Sequence, residues 1–191
     1  MSPTGTGRPR DASVEPRVRE AVLKQLVEHG YPGLRIEDVA RSSGVAKTTI
    51  YRRWPSLDAL VLDAMGAALG DRTVQETEDP LADLLTLVRV LHHSLVENPL
   101  GWSLPGIGLS VAQDPELGPD YRRRFITPLR EQALALLGRA AEQGLVPAGI
   151  PAGLLVDAVA GSFVFRRLAG EEPPSLAELE ALVTALTRPE S

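Results

Sequence analysis

Apolar residues recur along this chain at intervals of three and four, the spacing of one face of an α-helix, and nowhere alternate as a half-buried strand requires. Val18, Ala21, Val22, Leu26 and Val27 form the first such face, with Ser13 placed to cap the helix and Pro16 in its first turn; it ends at His29 and Gly30. Ile36, Val39 and Ala40 form a second, short face. Ser42, Ser43 and Gly44 stop it, because serines compete for backbone hydrogen bonds and glycine accepts the left-handed conformation of a tight corner. Val45 then reads as a plug between helices, and a third helix from Ala46 turns Ile50 and, one turn later, Trp54 inward. Pro55 ends that helix and Ser56 can cap the next, which carries Leu60, Val61, Ala64, Met65 and Ala68 as far as Gly70.

Residues 71–80, DRTVQETEDP, are polar and acidic and read as a boundary. Beyond them the pattern stays helical. Pro80 to Glu97 carries Leu81, Leu84, Leu85, Val88, Leu91, Leu95 and Val96 on one broad face, and NPLGWSLPGIG interrupts it at 98–108. A short helix around Ile107 to Ala112 follows, then a long one from about Pro119 to Gly144 with Tyr121, Phe125, Leu129, Ala133, Leu136, Leu137 and Ala140 at helical spacing. Arg122, Arg123 and Arg124 on it read as a solvated basic run. Gly153 to Leu168 is apolar nearly all round, which a surface helix of a small monomer does not tolerate. Ser175 and Glu178 form a capping box for a last helix striped by Leu176, Leu179, Leu182, Val183 and Leu186.

The third helix bears the chemistry. With Ile50 and Trp54 facing in, the opposite face is Thr48, Thr49 and Arg52, flanked by Lys47, Tyr51 and Arg53, and the helix itself contains no acid. Short threonines let its first turn approach base edges in a DNA major groove, where hydroxyls and methyls discriminate between pairs. Lys47, Tyr51 and Arg53 would reach phosphates, and Arg52 a guanine edge or a phosphate. The blander alternative is a helical hairpin with a solvated basic face.

Residues 15 to 62 resemble the DNA-binding head of the TetR family of bacterial transcriptional regulators. The likeness is carried by Val39 and Ala40, by SGVA at Ser43 to Ala46, and by Lys47, Thr49, Ile50, Tyr51, Trp54 and PSL at Pro55 to Leu57. Two positions depart from the family's pattern. Arg35 replaces a capping Thr or Ser and is a candidate phosphate contact instead; Leu57 replaces a lysine, leaving only its backbone N–H for a phosphate. The resemblance implies an all-α fold of about nine helices. A helix-turn-helix head with a linking fourth helix (14–70) follows an arm (1–13), and a helical effector-binding and dimerisation domain (80–191) completes the chain.

Charge sharpens this picture. The chain is acidic overall, at −5, which argues against nucleic acid until it is divided. Residues 1–60 hold ten basic against seven acidic side chains, whereas 61–191 hold ten against eighteen. A basic head on an acidic body suits a regulator whose body must not compete for phosphates. Cysteine is absent, which excludes disulfides and thiolate metal sites. No apolar run approaches the ~20 residues of a membrane span, and the first ten residues lack the apolar core of a signal peptide, so a cytoplasmic protein is expected. Arg8 and Arg10 of the arm are placed to enter a minor groove, or serve solubility alone.

The expected partners are a double-stranded DNA operator, a second copy of the chain and a small-molecule effector; no membrane and no cofactor are called for. The dimer face is expected on the last two helices, at Leu155, Ala158, Gly161, Ser162, Phe165, Leu179, Leu182 and Leu186, where the small residues allow close approach. The family implies a pocket in the body, with His92, Leu95, Trp102, Leu104, Phe125 and Leu129 as candidate walls for an apolar or aromatic ligand. His92 and His93, about 100° apart on a helix, cannot chelate one metal. The expected function is a homodimeric repressor released from a palindromic operator by its effector. The alternative is a helical small-molecule-binding protein or enzyme with an incidental helix-turn-helix. Absent cysteine, three histidines, and the lack of a glycine-rich phosphate loop or paired carboxylates weigh against an enzyme.

Overall fold

A computed structural model describes residues 13–98, 100–147 and 149–187, so the basic arm with Arg8 and Arg10 lies outside the described residues. The described residues are helical with no strand, as the spacing predicts. The helices are α1 (Val14–Gly33), α2 (Ile36–Ser43), α3 (Lys47–Arg53), α4 (Leu57–Leu69), α5 (Pro80–Val96), α6 (Leu104–Gln113), α7 (Gly118–Tyr121), α8 (Thr127–Glu142), α9 (Ala152–Ala169) and α10 (Leu176–Leu186). A 3₁₀ turn, Gly101–Ser103, leads into α6, and a π-helical turn, Arg122–Ile126, joins α7 to α8 without a break. Nine rods therefore carry the described chain.

The described residues divide into two compact units, one ending at Ala64 and the other beginning at Met65. The division falls inside α4, whereas composition places it at 71–80. That polar stretch is tied to the second unit: Val74 is buried and exchanges two hydrogen bonds with the Gln132 amide, at 3.3 and 2.7 Å. Thr77 donates its N–H and hydroxyl to the Asp83 carboxylate, both at 2.8 Å.

In the first unit α1 packs on α2 and α2 on α3. Val18, Val22, Leu26, Leu34, Val39, Ile50, Leu60 and Val61 are all within 2% of complete burial. Each such side chain contributes about 1.5–3 kcal/mol relative to exposure. Ser13 takes helical dihedrals (φ −78°, ψ −13°) in place of the extended ones of an N-cap, so the sequence's start signal is not used as expected. Gly30, at φ 67°, breaks α1 where the pattern ends it, and Pro32 begins a further turn.

In the second unit Leu84, Leu87, Leu136, Leu137 and Leu155 form one apolar cluster, and Val88, Leu91, Phe163, Leu179 and Val183 another. Asp79 caps α5, accepting from the N–H groups of Leu81 and Ala82 at 3.0 Å. The helix expected near Ile107 begins earlier, at Leu104, because Pro105 falls in its first turn, where a missing N–H costs nothing.

The capping box of α10 is formed: the Glu178 N–H donates to Ser175 Oγ at 3.3 Å, and the Ser175 N–H to Glu178 Oε2 at 2.7 Å. Arg166 of α9 adds a 2.8 Å ion pair. The Arg166 hydrogen bond, with those from Ser175, lowers the Glu178 pKa from its ordinary 4.5 to about 2. A carboxylate depressed in the folded state stabilises above its unfolded pKa and loses that contribution as pH falls through the folded one. Acid titration between about pH 4.5 and 2 is therefore expected to loosen the α9–α10 junction. In Glu178→Gln, melting temperature should lose part of its pH dependence in that window; an unchanged profile would refute the assignment.

Candidate nucleic-acid interface

The turn between α2 and α3 is fixed by its own backbone. Gly44 stands in the left-handed region (φ 66°, ψ 22°), where a Cβ would be strained although nothing else crowds it. Beside it the buried Ser43 hydroxyl accepts the Val45 N–H at 3.3 Å. Val45, Ile50 and Trp54 are buried as the spacing predicts, which sets the rotation of α3.

Trp54 brings in a residue that the sequence reading missed. Its indole N–H donates to Asp63 Oδ2 of α4 at 2.9 Å, and the Arg19 Nε of α1 donates to the same oxygen at 2.7 Å. The Asp63 hydrogen bond is the main cause of a raised Arg19 pKa. One carboxylate thus joins α1, α4 and the end of α3. A buried indole N–H needs an acceptor, and Asp63 is an acid set among the apolar Leu60, Val61 and Ala64; that pairing was the available signal. Tyr31 adds a second link, donating to Asp58 of α4 at 2.6 Å.

The outward face of α3 carries Thr48, Tyr51 and Arg52, all exposed, with Thr49 half-exposed. Among the described residues no carboxylate pairs with Arg52. Three of the expected phosphate contacts are otherwise engaged. Lys47 Nζ lies 2.8 Å from Glu37 Oε1 of α2, a hydrogen bond that raises the lysine pKa and lowers that of the glutamate. Although α3 holds no acid, its neighbour supplies one. Arg53 is turned inward, its side chain 15% exposed and 3.5 Å from Glu15 of α1, so it holds the head together in this conformation. Arg35 is exposed, but Nη1 donates to the carbonyls of Pro32 and Leu34 at 2.9 and 3.0 Å and closes its own loop.

The second unit contains a cavity of about 300 Å³. Its walls are mostly hydrocarbon, from Leu84, Val88 and Leu91 of α5, Leu109 of α6, Ala133 and Leu137 of α8, Val159 and Phe163 of α9, and Val183 of α10. Arg72, Tyr121, Arg130 and Thr187 are its polar groups. Burial pushes the Tyr121 phenol up and Arg72 down from their ordinary pKa values. A second, more polar depression of about 480 Å³ shares Arg72 and Leu129 with it and adds Arg124 and Phe125.

Two family models match the chain: the one described as bacterial regulatory proteins, tetR family, over residues 19–64, and the tetracyclin repressor-like C-terminal domain over 74–186. The chain belongs to the TetR family. The regulator YdeS of Bacillus subtilis, itself uncharacterised, is 29% identical over 165 residues, covering 85% of this chain and 82% of its own. An uncharacterised regulator of Mycobacterium bovis, Mb1581, is 28% identical over 187 residues, covering 95% and 92%. Among solved structures, the TetR family regulator SCO0332 superposes with a TM-score of 0.58 at 35% identity, covering 92% of this chain and 97% of that one. TetR-family proteins are DNA-binding regulators and not enzymes, which removes the catalytic alternative. Among the described residues no helix is long and apolar enough to cross a membrane.

Within this TetR-family body the expected pocket walls separate. Leu95 and Leu129 line the apolar cavity. Phe125 lines the polar depression instead. His92 is buried 3.4 Å from Glu97, Trp102 packs on Phe163 with ring centroids 6.2 Å apart and donates its indole N–H to the Glu171 carbonyl, and Leu104 is 1% exposed core. Those three line neither of these two hollows.

The expected dimer residues divide too. Leu155 and Leu179 are 4% and 1% exposed, committed to the unit's own core, and Leu186 packs against it. Ser162, half-buried, donates back to the Val159 carbonyl, and Leu182 is half-buried. Ala158, Gly161 and Phe165 are exposed, and with Leu154 and Leu168 they recur at spacings of four, three, four and three. Leu154, Phe165 and Leu168 are 59%, 70% and 69% exposed.

Proposed function

We propose that the protein is a cytoplasmic, homodimeric repressor that binds a palindromic operator through α3 and leaves it when a small molecule occupies the cavity. The observation that carries this reading is the division of α3 into a buried side, Ile50 and Trp54, and an outward side of Thr48, Tyr51 and Arg52. One such helix touches too few base pairs to select a site, whereas two about 34–36 Å apart, or somewhat further, read both halves of a palindrome. The exposed stripe of α9, backed by α10, supplies the second copy's seat. The coupling runs through α4, a single helix whose Asp63 holds Trp54 and whose Leu69 lines the cavity. A ligand against Leu69 would bias that helix, with a coupling of about 1–3 kcal/mol.

Fragments selected from random genomic DNA by the purified protein provide the operator. Arg52→Ala and Thr49→Ala are then expected to lose about tenfold or more on that sequence. Lys47 must exchange Glu37 for a phosphate on binding, so Lys47→Ala should weaken all sequences alike and lower the salt slope by at most about one. Unchanged affinity in both Arg52→Ala and Thr49→Ala would remove α3 from the account. A regulator without an effector is disfavoured by the cavity itself.

A further inference from the structure

We infer that the cavity takes an aliphatic carboxylate, its head held by Arg72 and its tail among the leucines and valines of α5, α8 and α9. This rests on the reading of the cavity as the effector site and adds the ligand's chemistry. The polar groups of the cavity differ in whether they are already satisfied. Arg130 is neutralised by an ion pair with Asp157 of α9. Thr187 Oγ1 donates to the Val183 carbonyl at 2.8 Å. Arg72 is different. Its Nη2 donates to the Phe125 carbonyl at 2.7 Å and its guanidinium lies 6.0 Å from the Phe125 ring centroid, but among the described residues no carboxylate pairs with it. Neighbouring Asp71 is exposed and accepts the Thr73 N–H at 2.9 Å.

A partly buried cation with no counter-ion pays for its desolvation without return. The guanidinium fork matches a planar carboxylate with two parallel N–H donors, and the remaining donors of Arg72 are available for it. Tyr121, buried on the same wall, has no hydrogen-bond partner for its hydroxyl among the described residues and faces the same field. Its oxygen is so close to Gly108 that a Cβ there would stand 2.4 Å away, which fixes the ring. Arg130 and Thr187 being already engaged, the rest of the lining is hydrocarbon, and so is the rest of the ligand. At about 30 Å³ per water-sized unit, a volume of about 300 Å³ admits on the order of ten heavy atoms.

The test titrates the full chain with decanoate, with 1-decanol as the uncharged equivalent and acetate as the isolated head, by calorimetry and thermal shift below the micellar range. Decanoate is expected to bind at least tenfold tighter than decanol and, at a hundred times its Kd, to raise Tm by about 5 °C or more; acetate should do neither. Arg72→Met should bring decanoate down to the decanol affinity, and retained decanol binding reports that the variant is folded. Arg72→Lys, which keeps charge but not the fork, should fall between. Equal affinity for decanoate and decanol in the native chain, or undiminished decanoate binding by Arg72→Met, overturns the assignment of the head. Decanoate binding that leaves operator affinity unchanged supports the ligand assignment while refuting the effector role of the cavity.

Discussion

Replacing Asp63 by alanine is expected to destabilise the DNA-binding unit by about 2–3 kcal/mol, because it leaves the Trp54 indole N–H without its acceptor and takes from Arg19 its closest counter-ion. In a chain of this size that corresponds to a fall in Tm of about 5–10 °C, read by circular dichroism. The consequence for DNA is larger than the loss of stability. Trp54 ends α3, so its release frees the angle at which Thr48 and Arg52 are presented, and operator affinity should drop at temperatures where the variant is still folded. Asp63→Asn keeps one acceptor oxygen and should recover part of both. A variant that melts with the native chain and binds DNA normally would show that burial of Ile50 and Trp54 alone positions the helix.

The second large effect is expected at Phe165. This ring is 70% exposed on α9 in line with Leu154, Ala158, Gly161 and Leu168. Phe165→Asp adds a charge where a partner would have to bury it, and should reduce the mass measured by light scattering to the 20.5 kDa of one chain. Operator affinity should fall by about 10³ or more, since each head then binds its half-site alone. Because the side chain packs little within its own subunit, the melting curve of the isolated subunit should hardly move. A native chain that is already monomeric when it binds DNA would remove the dimer from the mechanism.

The fold was legible because nearly every boundary carries a local cause. Gly44 ends α2, Pro55 follows α3, and Ser175 with Glu178 opens α10, so helix order and extent follow from the chain itself. The recognition helix was legible for the same reason: Ile50 and Trp54 set its rotation, and the outward residues follow by subtraction. Contacts between distant residues were hidden. Nothing near Arg53 in sequence says that Glu15 will draw it in, nor near Lys47 that Glu37 stands opposite. The cavity was least legible, since a wall is made where packed helices diverge, and Leu84, Leu91 and Phe163 look like core in any one-dimensional pattern. Arg72 was hidden by its setting in a polar stretch that reads as linker but is fastened to α8 through Val74 and Gln132.

The π-helical turn at Arg122–Ile126 carries a history of its own. Such a turn holds one residue more than an α-helix needs, and here the surplus falls among three consecutive exposed arginines, of which Arg122 donates to the Ala112 carbonyl and Arg124 lies over the Phe125 ring. A descendant one arginine shorter would regain regular winding but rotate Tyr121 by about 100° relative to α8, taking the phenol out of the cavity. At this point chain length, more than side-chain identity, is what inheritance must preserve.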